Sequence, residues 1–480
     1  MYKKIDDDKI KEECGVVAVY GHEEASTLAY LGLYALQHRG QESAGIVSVD
    51  DGRAYELKKM GLVSKIFHEG NLKKLKGDMA IGHVRYSTAG SSLVENAQPI
   101  RVEYINGTLA VAHNGNLVNA ETIRRGLEEG GSIFESTADS EVLVHLIAKN
   151  NKLEFMEAVK KSLAELKGAF SIVLMNKDCI IAARDSNGFR PLEIGEIDGA
   201  YIVASETCAF DLINADHIGT VEPGEMVILS KNGMRTEKFA ERGRSAMCVF
   251  EFIYFARPDS IIFNRSVNDI RRGLGNELAK ESHIDADVVM PVPDSGVCAA
   301  IGYAEESGVK YDMGLIRNHY VGRTFIEPSQ NIRDFGVRLK LNPVREIIKG
   351  KRVIVVDDSI VRGTTSRKIV KMIRNAGAKE IHFRISSPPV YNPCFYGMDF
   401  PTRAELIANS HTTEEIRKYL RVDSFSYLSI DGLIRSVSGR KDKYCMACFD
   451  GDYPITLNAA QKRSSCVEKQ KRFGHCVDDE

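Results

Sequence analysis

At 480 residues the chain is too long for one ordinary core, so two or three domains are expected. An apolar fraction of 43% and a charged fraction of 27% are globular values that argue against disorder or a fibre. With 64 Lys plus Arg against 66 Asp plus Glu, the net charge of −2 predicts no nucleic-acid or membrane partner.

The first residues, Met1 to Glu13, read MYKKIDDDKIKEE, with neither the apolar stretch nor the small-residue site of a secretory signal. No apolar run approaches membrane-spanning length. A cytoplasmic protein is expected, so its 10 cysteines should be thiols, ligands or nucleophiles rather than a disulfide framework. From there, strand-like runs at 15–20 (GVVAVY), 107–114 (GTLAVAHN), 169–176 (AFSIVLMN) and 200–205 (AYIVAS) alternate with helical patterns at 28–37 and 141–149. They predict a strand-rich α/β or α+β unit, ending near residue 245. Beyond it, 287–308 and 351–386 each pass from an apolar strand to an amphipathic helix, which predicts a parallel sheet covered on both faces. A Cys-containing tail begins near Tyr444.

Cys14 opens the first strand behind 13 polar residues. Taken alone it reads as a buried Cys at a strand start. Removal of residues 1–13 would instead leave one residue carrying a thiol and its own α-amine, with reference pKa values of about 8.5 and about 7.7–8.0, close enough to exchange a proton near neutrality. The segments CGVVAVYG, LQHRGQESAG (36–45), GHVRYSTAG (82–90), AHNGN (112–116) and STADSE (136–141) resemble class II glutamine amidotransferases, which are N-terminal-nucleophile hydrolases. The resemblance implies an αββα sandwich with Cys14 as nucleophile, Arg85 on the glutamine α-carboxylate and Asp139 on its α-ammonium. It implies an oxyanion hole from the Asn114 side chain and the Gly115 N–H. On bare sequence Asn114-Gly115 is also a hairpin-turn signal, and Ser136 to Asp139 also a capping-box pattern. Arg39 and His83 read as structural polar residues.

In RVIVVDDSIVRGTTSRKIV the strand 352–356 ends in Asp357 and Asp358 and passes through small residues into a helix near Thr365. Gly363 permits close backbone approach, Ser359, Thr364, Thr365 and Ser366 offer hydroxyls, and a helix N-terminus favours an anion. Neither GxxxxGK[ST] nor GxGxxG occurs there. A strand end with a capped helix would be the bland alternative. VVDDSIVRGTTS resembles the phosphoribosylpyrophosphate (PRPP) motif of type I phosphoribosyltransferases, which implies substrate contacts from Ser359, Arg362, Gly363, Thr364 and Thr365. By the same resemblance Asp294 in PVPDSG (291–296) and Arg317 in IRNHYVGRTFIEPSQ (316–330) meet the pyrophosphate, and Ser295, Asp357 and Asp358 hold Mg²⁺. His319 stands where the family carries a basic residue, which weakens that contact at neutral pH.

Cys445-Met-Ala-Cys448 alone fits zinc, a redox pair or accident. With Cys248 in SAMCVFEFIYFARPDS and Cys394 in SPPVYNPCFYG, it resembles the ligand segments of a [4Fe–4S] cluster. A glutaminase half followed by a PRPP half resembles the propeptide-containing, cluster-bearing branch of the glutamine PRPP amidotransferase family. The implied organisation is a propeptide at 1–13, a glutaminase domain at 14–245, a phosphoribosyltransferase domain at 246–440 and a cluster-binding tail at 441–480. Feedback inhibition by purine nucleotides and a homotetramer are implied likewise. A PRPP-sensing regulator would need a basic DNA-binding module, and none is visible. A sugar-phosphate amidotransferase is disfavoured by VVDDSIVRGTTS.

Overall fold

The computed structural model describes residues 14–86, 93–318, 341–400, 402–437 and 439–456. The expected propeptide, His319 with most of its loop, Cys466 and Cys476 lie outside the described residues.

Among the described residues the first unit has thirteen strands. The first seven are β1 (Gly15–Tyr20), β2 (Ser43–Asp50), β3 (Arg53–Met60), β4 (Met79–Arg85), β5 (Ile100–Tyr104), β6 (Gly107–Leu117) and β7 (Gly168–Met175). Then come β8 (Cys179–Arg184), β9 (Glu193–Ile197), β10 (Ala200–Ala204), β11 (Asp216–Thr220), β12 (Glu225–Ser230) and β13 (Gly233–Lys238). One sheet runs β11-β9-β10-β1-β4-β2-β3 and the other β13-β12-β8-β7-β6-β5. The period-2 alternation of side chains explains the layering. In β1, Val17 and Val19 pack under the helix Ala25–Ala35, whereas Val16 and Ala18 face the second sheet. In β6, Leu109 and Val111 meet the helices Glu141–Lys149 and Phe155–Glu165, whereas Ala110 and Ala112 face the first sheet. Each fully buried Val, Leu or Ile contributes about 1.5–3 kcal/mol relative to exposure, so a strand buried on both faces reads as a continuous apolar run. The result is the expected αββα sandwich.

The helix expected at 28–37 occupies Ala25–Ala35 and tightens into one turn of 3₁₀ helix at Leu36–His38. The two turn-type readings are corrected. Asn114-Gly115 lies within β6, paired with Ser171 and Phe170, rather than in a hairpin turn. Ser136 makes no capping box with Asp139, because Glu141 accepts both its amide and its hydroxyl.

In the second unit four parallel strands, Val288–Pro291, Arg352–Asp357, Glu380–Ile385 and Ser424–Tyr427, lie side by side in that order. Ile354 and Val356 face the helices Val267–Glu281 and Val297–Ser307, and Val353 and Val355 face Thr364–Asn375 and Thr413–Leu420. The tail is not an appendage. Tyr444–Cys445 pairs in parallel with Met247–Cys248, and Tyr444, Met446 and Phe449 enter the core of the second unit.

Candidate active site

Because Gly15 of β1 pairs with Val84 of β4, Cys14 is placed beside Arg85 where these two central strands end. Cys14 is 8% exposed, and its thiol donates to Tyr86 O at 3.4 Å. Arg39 Nε donates to Cys14 O at 2.9 Å, fixing the backbone from which the thiol projects. Arg85 is buried, with Nη1 3.8 Å from Glu42 Oε2. His83 on β4 reaches across the sandwich, its Nε2 donating to His113 O on β6 at 3.0 Å. Burial drives its pKa down to about 3, aided by Arg85 and His113, so it is a neutral tie between the sheets.

Asn114 is fully buried, and neither its side-chain oxygen nor its nitrogen has a hydrogen-bond partner among the described residues. An orphaned buried amide costs about 1–3 kcal/mol, a cost retained where the group awaits a ligand or a developing charge. At Gly115, φ is +145°, and a Cβ would lie 2.0 Å from Ala169 O, so only glycine fits. Asp139 Oδ2 accepts the Leu117 amide at 2.8 Å, and Ser140 Oγ donates to Oδ1 at 3.2 Å. Burial opposes ionisation there, but His113 and these hydrogen bonds outweigh it and hold the carboxyl below its ordinary range. Behind it, Glu141 accepts the amides of Glu135 and Ser136 at 2.7 and 2.8 Å. Burial would raise its pKa, but His145, Ser136 and those amides bring it down to about 2, pinning the loop that carries Asp139.

In the second unit Asp357 ends its strand and Asp358 follows, both buried. Ser295 Oγ donates to Asp358 Oδ1 at 2.5 Å, and Ser359 Oγ donates to Oδ2, which joins the PDSG turn to the strand end. Gly363 has φ +78° and caps the helix Thr364–Asn375, with Thr364 and Thr365 in its first turn. A Cβ there would meet Ile407 Cδ1 at 2.9 Å. Arg362 donates through Nε and Nη2 to Glu405 Oε1 at 3.2 and 3.0 Å. Arg317 forms an ion pair with Asp294. The structure thus brings the expected PRPP contacts to one end of the parallel sheet, where ligands of such sheets bind.

The four candidate cluster cysteines converge from three segments. Cys248 and Cys445 are directly paired, and Tyr396 N donates to Cys394 Sγ at 3.3 Å. Burial pushes Cys445 up to about 12, and Cys448 also rises through burial and then the charges of Cys445, Cys248 and Cys394. Four neighbouring thiols, three buried and Cys394 partly so, with no disulfide among them, are a donor set that fits an iron–sulfur cluster or zinc. Among the described residues, however, no group of three His, Cys, Asp or Glu side chains is set in ion-binding positions, so the fit rests on proximity and donor type.

Sequence reasoning left out Glu251, Arg190 and Glu206, which surround Arg39 with wholly buried ion pairs. One signal was present: Glu251 is a lone carboxylate inside the apolar run CVFEFIYF.

An αββα sandwich with a cysteine at its first strand, joined to a parallel-sheet phosphoribosyl-transfer fold, defines a two-domain glutamine amidotransferase. Family patterns agree: a glutamine amidotransferase domain matches residues 83–211 and a phosphoribosyl transferase domain residues 265–387. The amidophosphoribosyltransferase of Bacillus subtilis is 52% identical over 453 residues, covering 93% of this chain and 95% of that protein. The chloroplastic amidophosphoribosyltransferase 1 of Arabidopsis thaliana is 52% identical over 99% of this chain and 83% of its own. The structure of the glutamine PRPP amidotransferase from B. subtilis complexed with ADP and GMP superposes with a TM-score of 0.88 at 51% identity, over 93% of this chain and 98% of that one. The chain belongs to the amidophosphoribosyltransferase family.

Proposed function

We propose that the chain hydrolyses glutamine at Cys14 and passes the ammonia to C1 of PRPP, giving 5-phosphoribosylamine, glutamate and pyrophosphate, the first committed step of purine synthesis. The observation that carries the glutamine half is the buried Asn114 amide, without a partner among the described residues, beside a strand position that only glycine can occupy. After loss of residues 1–13 the Cys14 α-amine takes the thiol proton, and sulfur attacks the glutamine carbonyl. Arg85 holds the α-carboxylate and Asp139 the α-ammonium. The Asn114 side chain and Gly115 N–H receive the oxyanion, ammonia leaves, and water releases glutamate from the thioester.

In the second half, Ser359, Arg362, Gly363, Thr364 and Thr365 hold the phosphoribosyl group, while Asp294 and Arg317 meet the pyrophosphate. The Glu405 and Asp294 carboxylates now pair with Arg362 and Arg317, where the ligand would bring phosphate charge. Ser295, Asp357 and Asp358 would hold Mg²⁺, which supplies charge neutralisation for the departing pyrophosphate. Free ammonia would be protonated and lost to water, so the two halves require an enclosed passage between them. Cys14→Ala is expected to abolish glutamine-dependent synthesis, a loss of roughly 10³-fold or more, while ammonia-dependent synthesis survives. Loss of both activities would contradict separable sites.

Cys248, Cys394, Cys445 and Cys448 would hold a [4Fe–4S] cluster that clamps the domain junction, the second domain and the tail. Cys445→Ser is expected to remove iron and sulfide and lower soluble yield, checked by metal analysis. Full activity in a soluble, processed mutant would refute the structural role, and zinc in the native protein would refute the cluster. Feedback by purine nucleotides is supported by the ADP and GMP named for the B. subtilis structure. Homotetrameric assembly and a cytoplasmic location follow from family resemblance. No helix among the described residues is long and apolar enough to cross a membrane.

A further inference from the structure

A continuous polar path crosses the junction between the two units. Tyr396 O accepts from Arg190 Nη2 at 2.6 Å, and Arg190 Nη1 meets Glu251 Oε1 at 3.2 Å. Glu251 takes both terminal nitrogens of Arg39, Nη2 on Oε1 at 2.8 Å and Nη1 on Oε2 at 3.0 Å. Arg39 Nε then donates to Cys14 O at 2.9 Å. Its Nη1 also meets Glu206 Oε1 at 2.6 Å, and Glu206 accepts from Ser260 Oγ, the Arg257 amide and His38. The side chains of Arg39, Arg190, Glu206 and Glu251 are all wholly buried.

Two guanidiniums and two carboxylates balance in charge, yet a buried ion-pair network is a poor source of stability, because well-packed apolar residues serve equally or better. What it supplies is fixed geometry. The loop at its far end also touches the oxyanion strand directly. Phe395 O accepts from Asn116 Nδ2 at 2.9 Å, and a Cβ on Gly397 would lie 3.4 Å from Gly115 Cα. One loop of the second unit, 394–397, therefore reaches both the nucleophile's backbone, through three charged side chains, and the strand of Asn114 and Gly115.

We propose that Glu251 is a positioning residue of the glutamine half-reaction, setting Cys14 through Arg39 and registering it against the loop 394–397 through Arg190. The proposal rests on Cys14 being the nucleophile. Glu251 touches neither glutamine nor the reacting atoms, so its removal disturbs the nucleophile's aim rather than glutamine affinity.

The test uses the full, processed chain with glutamine or ammonium as nitrogen donor. Glu251→Gln is expected to lower kcat with glutamine at least tenfold, with KM for glutamine and ammonia-dependent synthesis both within twofold of wild type. Since Glu251→Gln leaves two buried guanidiniums undercompensated, the charge-balanced pair R190Q/E251Q is measured beside it, together with E251D, which retains the charge. Partial rescue in E251D and loss in the double variant are expected. A glutamine kcat within twofold of wild type in E251Q or R190Q/E251Q overturns the proposal. So does a parallel fall of both activities, or failure of every variant to fold, since each marks a purely structural network. Cys14→Ala runs alongside: continued glutamine use by that variant overturns the assignment of the nucleophile instead.

Discussion

The two sites are prepared to different degrees. In the glutamine half Cys14, Arg85 and Asn114 are buried at 8%, 3% and 0% exposure, and the surrounding charges are already neutralised by protein partners. In the PRPP half Asp294 and Arg317 have side chains 54% and 50% exposed and pair with each other, and Arg362 pairs with Glu405. An exposed pair such as Asp294–Arg317 is worth about 0–1 kcal/mol, so a multiply charged ligand displaces it at little cost. The first site is enclosed within the folded protein, whereas the second keeps the Asp294–Arg317 ion pair open to solvent. Order in the second site is concentrated in its backbone, at Gly363 and the strand end of Asp357 and Asp358.

That contrast predicts different failures. With Asn114 as the proposed oxyanion donor, Asn114→Ala breaks no side-chain hydrogen bond among the described residues, so kcat with glutamine should fall about 10²–10³-fold while KM and ammonia-dependent synthesis change little. A rise in KM with kcat retained would place Asn114 in substrate binding instead. Gly363→Ala imposes a left-handed L-residue at about 1–2 kcal/mol and crowds Ile407, so KM for PRPP should rise at least several-fold with either nitrogen donor. An effect confined to glutamine would break the separation of the sites.

The smallest effect concerns stability. Glu141 is charged in the fold well below its ordinary pKa, so its stabilisation is complete above about pH 4.5 and is lost as pH falls toward about 2. Glu141→Gln should therefore destabilise the neutral protein by about 1–3 kcal/mol and flatten the acid dependence in that window. Denaturant unfolding from pH 2 to pH 7 measures both.

The core of each unit was legible because strands buried on both faces are written as uninterrupted apolar runs, as in GVVAVY and RVIVV. The edge strand RAYELKKM (53–60), mixed in polarity and paired among the described residues only with β2, gave no such signal. Cys14, Asp357 and Asp358 stood out through their segments, whereas the geometry around Asn114 did not, since its bare sequence reads equally as a turn. The register of Cys248 against Cys445 and the partners of Arg39 are long-range facts. No local propensity encodes them, because the interactions exist only once both units have folded.

The central claim is that two chemically separate sites share one ammonia molecule per turnover. Anaerobically purified, processed protein given glutamine, PRPP and Mg²⁺ should release glutamate and pyrophosphate in equal amounts, with both rates collapsing when PRPP is omitted. Sustained glutamate release without matching pyrophosphate would contradict the account, placing the ammonia on another acceptor or losing it to solvent.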